Sequence, residues 1–335
     1  MIKGMKYAVG ENFSFKDEVC SGGSITLENY IPIFNATVID KLNEAEAEFR
    51  RQTPVKEFEI TNDKITEAAD VVLNNECDFA IGTDFNGSTR ESAFEAGIIG
   101  YKPTYGLISR FGIYPVASAL DNVGIYARDV KTVALVANAL KGIDSKDMNT
   151  FDSSEIDLTK EIDEEFSLFH INELSNNKFN AKEEKFNQDL LDILPLIHEC
   201  IMSAEMTTTL ANLTGIPFGK TAEGKNVDEM MINFRSKFTP EVKKHLIVGC
   251  YSLLEDKKED YYYNSLRLRG MLFNELNKLF AKYDALISDN NKTNRLIANL
   301  CGYPSITAGK YLITGKQKDD AKVIAIAKKI EKGGL

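Results

Sequence analysis

GTDFNGSTRESAFEAGIIGYKPTYGLIS, residues 82–109, follows a short apolar run, Phe79-Ala80-Ile81, and opens as a loop rich in glycine and asparagine that carries Ser88. The apolar run reads as a buried strand and the loop as the turn at its end. Consecutive backbone N–H groups at Phe85, Asn86, Gly87 and Ser88 are spaced to converge on one point. A nest of that kind holds an oxyanion while the hydroxyl beside it attacks a carbonyl. Beyond Ser88 come a short apolar stretch and the turn Gly100-Tyr101-Lys102-Pro103-Thr104-Tyr105-Gly106. The arrangement suits acyl transfer.

The rest of the composition narrows the class. With 335 residues, 43% hydrophobic and 27% charged, the chain is long enough for a substantial core and ordinary enough to be globular. A net charge of -10 argues against autonomous nucleic-acid binding, which needs a basic face. Cys20, Cys77, Cys200, Cys250 and Cys301 are scattered without a CxxC pair, as free thiols in a reducing compartment are. His170, His198 and His245 show no ligand-like spacing to Asp or Cys, so they receive no role, and no metal site is expected. No signal-peptide core and no run of membrane-spanning length is visible, and a cytoplasmic protein without membrane contact is expected.

Periodicity gives the organisation. Tyr7-Ala8-Val9 and Phe13-Ser14-Phe15 read as short strands. Helical spacing runs from Thr37 to about Arg50, and again from Asp63 to Leu73 with Asn62 or Asp63 as N-cap. A helix from Val130 to Leu140 is closed by Gly142. Residues 143–165 form a polar, acidic surface connector, and a strand follows at Ser167-Leu168-Phe169-His170-Ile171. Long helical patterns occupy about 185–212, 239–255 and 257–282, with buried strands at Asp284–Ser288 and Pro304–Ala308 and a last helix from Asp319 to Lys332. Alternating strands and helices predict an α/β fold, a central mixed sheet covered by helices on both faces, built as one domain over 1–335.

Gly82-Thr83-Asp84, Asn86-Gly87-Ser88-Thr89-Arg90 and the turn at 100–106 resemble the amidase signature family. So do Ser109-Arg110-Phe111-Gly112 through Asp121-Asn122-Val123-Gly124 and Ala127-Arg128-Asp129. Within it they are most similar to the branch formed by the A subunits of glutamyl-tRNA(Gln) amidotransferase. Phe15-Lys16-Asp17 resembles the family's Lys-Asp-Asn segment, and Asn299-Leu300-Cys301-Gly302-Tyr303-Pro304 its Asn-Leu-Ala-Gly-Leu-Pro stretch.

The resemblance implies a mechanism. Ser88 would be the nucleophile, Lys16 the base, and the backbone amides of Phe85, Asn86, Gly87 and Ser88 the oxyanion hole. A second serine would relay the proton. Glutamine would be the substrate, its carboxamide releasing ammonia. That ammonia would pass to partner B and C subunits carrying Glu-tRNA(Gln). ATP and Mg2+ would belong to the partner, with no cofactor in this chain. Arg269 falls where the branch keeps an arginine for the glutamine carboxylate, a task that suits its bidentate fork. Phe218 replaces a tyrosine of the same region, and Asp289 is the candidate for the substrate ammonium. Arg90 is expected to brace the loop.

A further departure lies upstream of Ser88. Counting back from Ser88 without a gap places Asn62-Asp63-Lys64-Ile65-Thr66-Glu67-Ala68 where the family has Gly-Gly-Ser-Ser-Gly-Gly-Ser. Lys64 then holds the relay position. It is a solvated lysine, or it acts together with Lys16, or Thr61 or Thr66 takes over the relay. Three functions follow: the glutaminase part of that amidotransferase, a homologue that has kept the fold but lost the chemistry, and a stand-alone hydrolase of small amides.

Overall fold

The computed structural model describes residues 1–60, 63–174, 180–216 and 220–333. Ten strands build one sheet: β1 (Lys6–Gly10), β2 (Glu48–Thr53), β3 (Phe79–Thr83), β4 (Ile99–Lys102), β5 (Val123–Ala127), β6 (Leu168–Ile171), β7 (Lys182–Glu184), β8 (Ala285–Asp289), β9 (Ser305–Ala308) and β10 (Tyr311–Gly315). Their order is β2-β1-β3-β5-β4-β9-β10-β8-β6-β7. The two ends are parallel, with β1 pairing β2 and β3, and β6 pairing β7 and β8. The middle, from β3 through β5, β4, β9 and β10 to β8, is antiparallel. The sheet is therefore mixed.

Alternation along each strand decides which helices cover which face. Tyr7, Val9, Phe79, Ile81, Val123, Ile125, Ala285 and Ile287 point to one side. There they pack on Val38 and Leu42 of the helix Thr37–Glu44, on Val133 and Ala137 of Val130–Leu140, and on Val323 and Ile326 of Asp320–Glu331. Ala8, Ala80 and Tyr126 point to the other side and meet the helices Glu67–Leu73 and Ser88–Glu95 through Ala69, Val72 and Ala93. Further along that second face, Phe169, Ile171 and Leu286 pack on Ile201, Leu276 and Ile297, from Leu194–Leu210, Asn264–Phe280 and Lys292–Cys301. The expected α/β architecture with helices on both faces is what these residues build. Among the described residues no helix is long and apolar enough to cross a membrane.

Several element boundaries differ from the sequence expectations. The helix expected from Thr37 to Arg50 stops at Glu44, where Glu46 turns to φ 56, and Glu48–Thr53 become strand β2. Its charged, exposed residues suit an edge strand, which hides it from a hydrophobicity pattern. Phe13-Ser14-Phe15 is not a strand but contributes one isolated bridge, from Phe13 to Ile113. The second helix begins at Glu67, not at Asp63, because Thr66 caps it by accepting from Ala69 N–H. The 143–165 connector has no regular element, yet it is tied to the fold. Asp144 accepts from Thr37 Oγ1 (2.5 Å) and Ser109 Oγ (2.6 Å), and Asp147 holds both Nε (3.1 Å) and Nη2 (3.1 Å) of Arg110.

Candidate functional site

Strand β3 ends at Thr83, and after four intervening residues the helix Ser88–Glu95 begins. Gly87 makes that short passage possible. Its φ is 92°, and a Cβ there would stand 2.7 Å from Arg295 Cβ. Gly124 on the neighbouring β5 lets the helix lie close to the sheet, because a Cβ there would collide with the Thr89 side chain.

A buried ion pair fixes the loop. Asp84 and Arg90 are both fully buried, with Nε to Oδ2 at 2.9 Å and Nη2 to Oδ1 at 3.1 Å. Arg90 also donates to the Arg295 carbonyl (3.0 Å) and to Asn299 Oδ1 (2.6 Å), and Asn299 donates to the Asp84 carbonyl (2.9 Å). Burial alone raises the Asp84 carboxyl, but the Arg90 guanidinium outweighs it and holds the group at about 2. Lys102 stands nearby with its ammonium pushed down to about 7 by burial and by Arg90. The bracing role expected of Arg90 is the one this geometry shows.

Two of the four N–H groups expected to converge are engaged within the loop. Gly87 N–H donates to Asp84 Oδ1 (2.8 Å), and Ser88 N–H donates to Asn86 Oδ1 (3.1 Å). His198, on the helix Leu194–Leu210, shapes the loop from outside, its Nε2 lying 2.9 Å from the Phe85 carbonyl. Burial lowers that imidazole to about 4, so it is neutral at pH 7, with the proton on Nε2 donated to the carbonyl.

Ser88 is half-buried and opens on two cavities. Its hydroxyl donates to the Thr83 carbonyl at 3.2 Å. The first cavity, about 330 Å³, is lined by Gly10, Thr53, Glu59, Thr66, Thr83 and Tyr126, with Val55 and Ile65 as apolar wall. The second, about 360 Å³, is lined by Asn86, His198, Glu199, His245, Lys244 and Lys292. In it His245 Nδ1 lies 2.8 Å from Glu199 Oε1.

Of the residues singled out from sequence, Thr66 shares the first cavity with Ser88, and Asn86 shares the second. Thr66 Oγ1 lies 3.0 Å from Ser92 Oγ and 3.3 Å from Tyr126 OH. Lys16 is exposed and lines neither cavity; its backbone N–H is bound to Asn35 Oδ1 at 2.8 Å. Lys64 has a side chain 73% exposed and meets Glu95 at 3.4 Å, so its solvated reading fits the geometry. Arg269 donates to the main-chain oxygens of Leu300 (2.5 Å) and Ala119 (3.3 Å) and lines neither cavity. Asp289 ends β8 and is also outside both linings, whereas Lys292 is in the second. Phe218 and Thr61 lie outside the described residues. Among the described residues, no group of three or more His, Cys, Asp or Glu is placed to hold a metal ion.

Glu59 escaped the sequence reading, and His198 and His245, which it gave no role, line the second cavity beside Ser88. Sequence spacing carries no signal for them, because helix and strand packing brings them to Ser88 from distant segments.

Known proteins are similar to this chain in sequence and in fold. A family model described as Amidase matches residues 67–167. The chain is 30% identical over 337 residues to the A subunit of glutamyl-tRNA(Gln) amidotransferase from Thermoanaerobacter pseudethanolicus, a match spanning 87% of this chain and 69% of that protein. It is 31% identical to the corresponding protein of Treponema denticola, spanning 85% of this chain and 69% of the relative. Among solved structures, the A subunit of glutamyl-tRNA(Gln) amidotransferase from Thermotoga maritima superposes with a TM-score of 0.75 at 23% identity, covering 99% of this chain and 84% of that one. The peptide amidase of Stenotrophomonas maltophilia has the same fold, with a TM-score of 0.78 at 18% identity over 99% of this chain and 83% of the amidase. Identity sustained across more than two thirds of a curated relative, together with the strand, loop and helix around Ser88, places the chain in the amidase signature family, most similar to homologues of the amidotransferase A subunit.

Proposed function

We propose that this chain belongs to the amidotransferase branch as a homologue that keeps the amidase fold as a partner-binding scaffold and has lost the family's amide chemistry. The surroundings of Ser88 Oγ carry this reading. Its hydrogen bond goes to a main-chain oxygen, while Lys16 and Lys64, the lysines offered as base and relay, are both exposed to solvent. A serine without a proton acceptor is a weak nucleophile. Loss of one member of an acyl-transfer constellation costs on the order of 10⁴ or more in turnover. Two of the four oxyanion N–H groups are also engaged by Asp84 and Asn86 side chains. Partners of the B and C type, with Glu-tRNA(Gln), ATP and Mg2+ handled there, follow from the kinship with the amidotransferase.

The test is ammonia release from glutamine by the purified chain, alone and mixed with B- and C-type partners, beside Ser88→Ala. The expected result is a stable complex with background ammonia release that the substitution does not change. Glutamine hydrolysis by the complex that disappears in Ser88→Ala overturns the proposal and establishes the glutaminase reading. One observation favours that second reading: Ser88 heads a helix directly beside two cavities. Hydrolysis of small amides without partners would identify a stand-alone amidase instead.

A further inference from the structure

Thr53, Gly10 and Thr83 are the last residues of β2, β1 and β3, three neighbouring strands that run parallel. All three line the first cavity. A crevice outside the carboxyl ends of parallel strands is where open α/β sheets bind small ligands. This one is rich in oxygen acceptors. Thr83 Oγ1 bonds the Glu59 carboxyl and accepts from Asn12 Nδ2 at 3.3 Å. Behind that wall Asn12 is 3% exposed, and among the described residues its Oδ1 has no partner; that oxygen stands against Gly10, where a Cβ would collide with it. Thr53 is 1% exposed, and among the described residues its hydroxyl also lacks a partner. Buried acceptors in this state cost free energy until a donor reaches them.

Glu59 is held in place at a cost. Phe58 and Glu59 both have left-handed backbones, at φ 52° and 55°, a strain of about 1 kcal/mol or more each. Their neighbours over-determine the turn. The Phe58 ring stacks on Tyr114 at 5.1 Å, and Glu57 accepts from Ser24 Oγ (2.6 Å), Thr239 N (2.7 Å) and Thr239 Oγ1 (2.6 Å). Strain maintained in this way is characteristic of ligand sites.

We propose that this cavity binds a small primary ammonium ion, whose N–H groups are received by Glu59 and the Thr53 hydroxyl, and whose short alkyl tail lies against Val55, Ile65 and Ala68. The site goes beyond the scaffold reading and is independent of whether Ser88 reacts. The local field favours a cation. Asp121 and Asp84 face Glu59 from the loops beside β5 and β3, and Tyr126 from β5 itself. The Arg90 fork is taken by Asp84, and Lys102 donates to the Pro103 carbonyl at 3.0 Å. At the mouth Lys56 meets Asp63 at 3.5 Å and Arg51 meets Glu67 at 2.8 Å.

Burial, then Asp121, push the Glu59 carboxyl up to about 8. At neutral pH it is mostly protonated, so an entering ammonium ion releases that proton to solvent and pairs with the carboxylate. Binding therefore strengthens as pH rises, by about tenfold per unit below about 8, and levels off above it.

The experiment is calorimetry of the full chain with ethylammonium chloride from pH 6 to 9, in two buffers of different ionisation heat, with tetramethylammonium chloride and sodium chloride as controls. The expected result is saturable ethylammonium binding with that pH profile, proton release near neutrality, no tetramethylammonium binding, and loss of binding in Glu59→Gln. Absence of saturable binding at pH 8 in the wild-type chain, or binding indifferent to pH, overturns the proposal whether or not Glu59→Gln folds. Equal binding by a folded Glu59→Gln chain overturns it as well.

Discussion

Asp84 and Arg90 show how much one residue pair decides at this site. Neither side chain touches water, and the pair is sustained because its remaining donors and acceptors are met by Asn299, the Arg295 carbonyl and Gly87 N–H. Removing one partner strands the other charge. Arg90→Met is expected to cost roughly 3–5 kcal/mol at pH 7, measured by urea unfolding. The pH dependence has a definite sign. Asp84 ionises at about 2 in the folded chain, against about 3.9 when unfolded, so its contribution is complete above the unfolded value and is lost as pH falls through about 2. The gap between wild type and Arg90→Met should therefore narrow in acid; a gap that stays constant down to pH 2 contradicts the ion-pair account. Ser88, Gly87 and Arg90 were legible in sequence because they belong to one contiguous stretch, from the loop into the helix Ser88–Glu95. Lys16 rested on the resemblance of Phe15-Lys16-Asp17 to the family's Lys-Asp-Asn segment. The register of β1 on β3, with Val9 beside Ile81, instead brings Gly10 into the cavity with Gly82, Thr83 and Ser88.

Elements were legible where local chemistry marks both ends. Val130–Leu140 has Asp129 as N-cap, accepting from Thr132 N–H at 2.7 Å, and its boundaries match the periodicity. Strand β2 was not, since its exposed charges imitate the polar face of a helix. The helix Asp320–Glu331 is docked at its start by a buried carboxylate. Asp320 is fully buried and accepts from Tyr101 OH (2.5 Å), Thr104 N (2.8 Å) and Thr104 Oγ1 (2.5 Å). Asp320→Ala removes three bonds and leaves the tyrosine and threonine donors buried. A loss of roughly 3 kcal/mol or more is expected in chemical denaturation. A loss under about 1 kcal/mol would mean that the apolar contacts of Val323, Ile324 and Ile326 dock the helix without it.

At the scale of the molecule, stability should follow depth in the sheet. Strands β3, β4, β5 and β9 are buried at every residue, whereas β2 and β7 at the two edges are largely exposed. Hydrogen-exchange mass spectrometry is expected to find the slowest amides in those four strands and early exchange in β2 and β7. Uniform protection across the sheet would count against this ordering. The sequence by itself determined the α/β class, the loop at Ser88 and the family, because these are written in short-range pattern and contiguous motif. The tertiary structure alone decided what surrounds Ser88. Glu59, Asn12, Thr53, His198 and His245 reach its cavities or their walls from separate segments, and which residue stands there is set by strand register and helix packing, which no local pattern records.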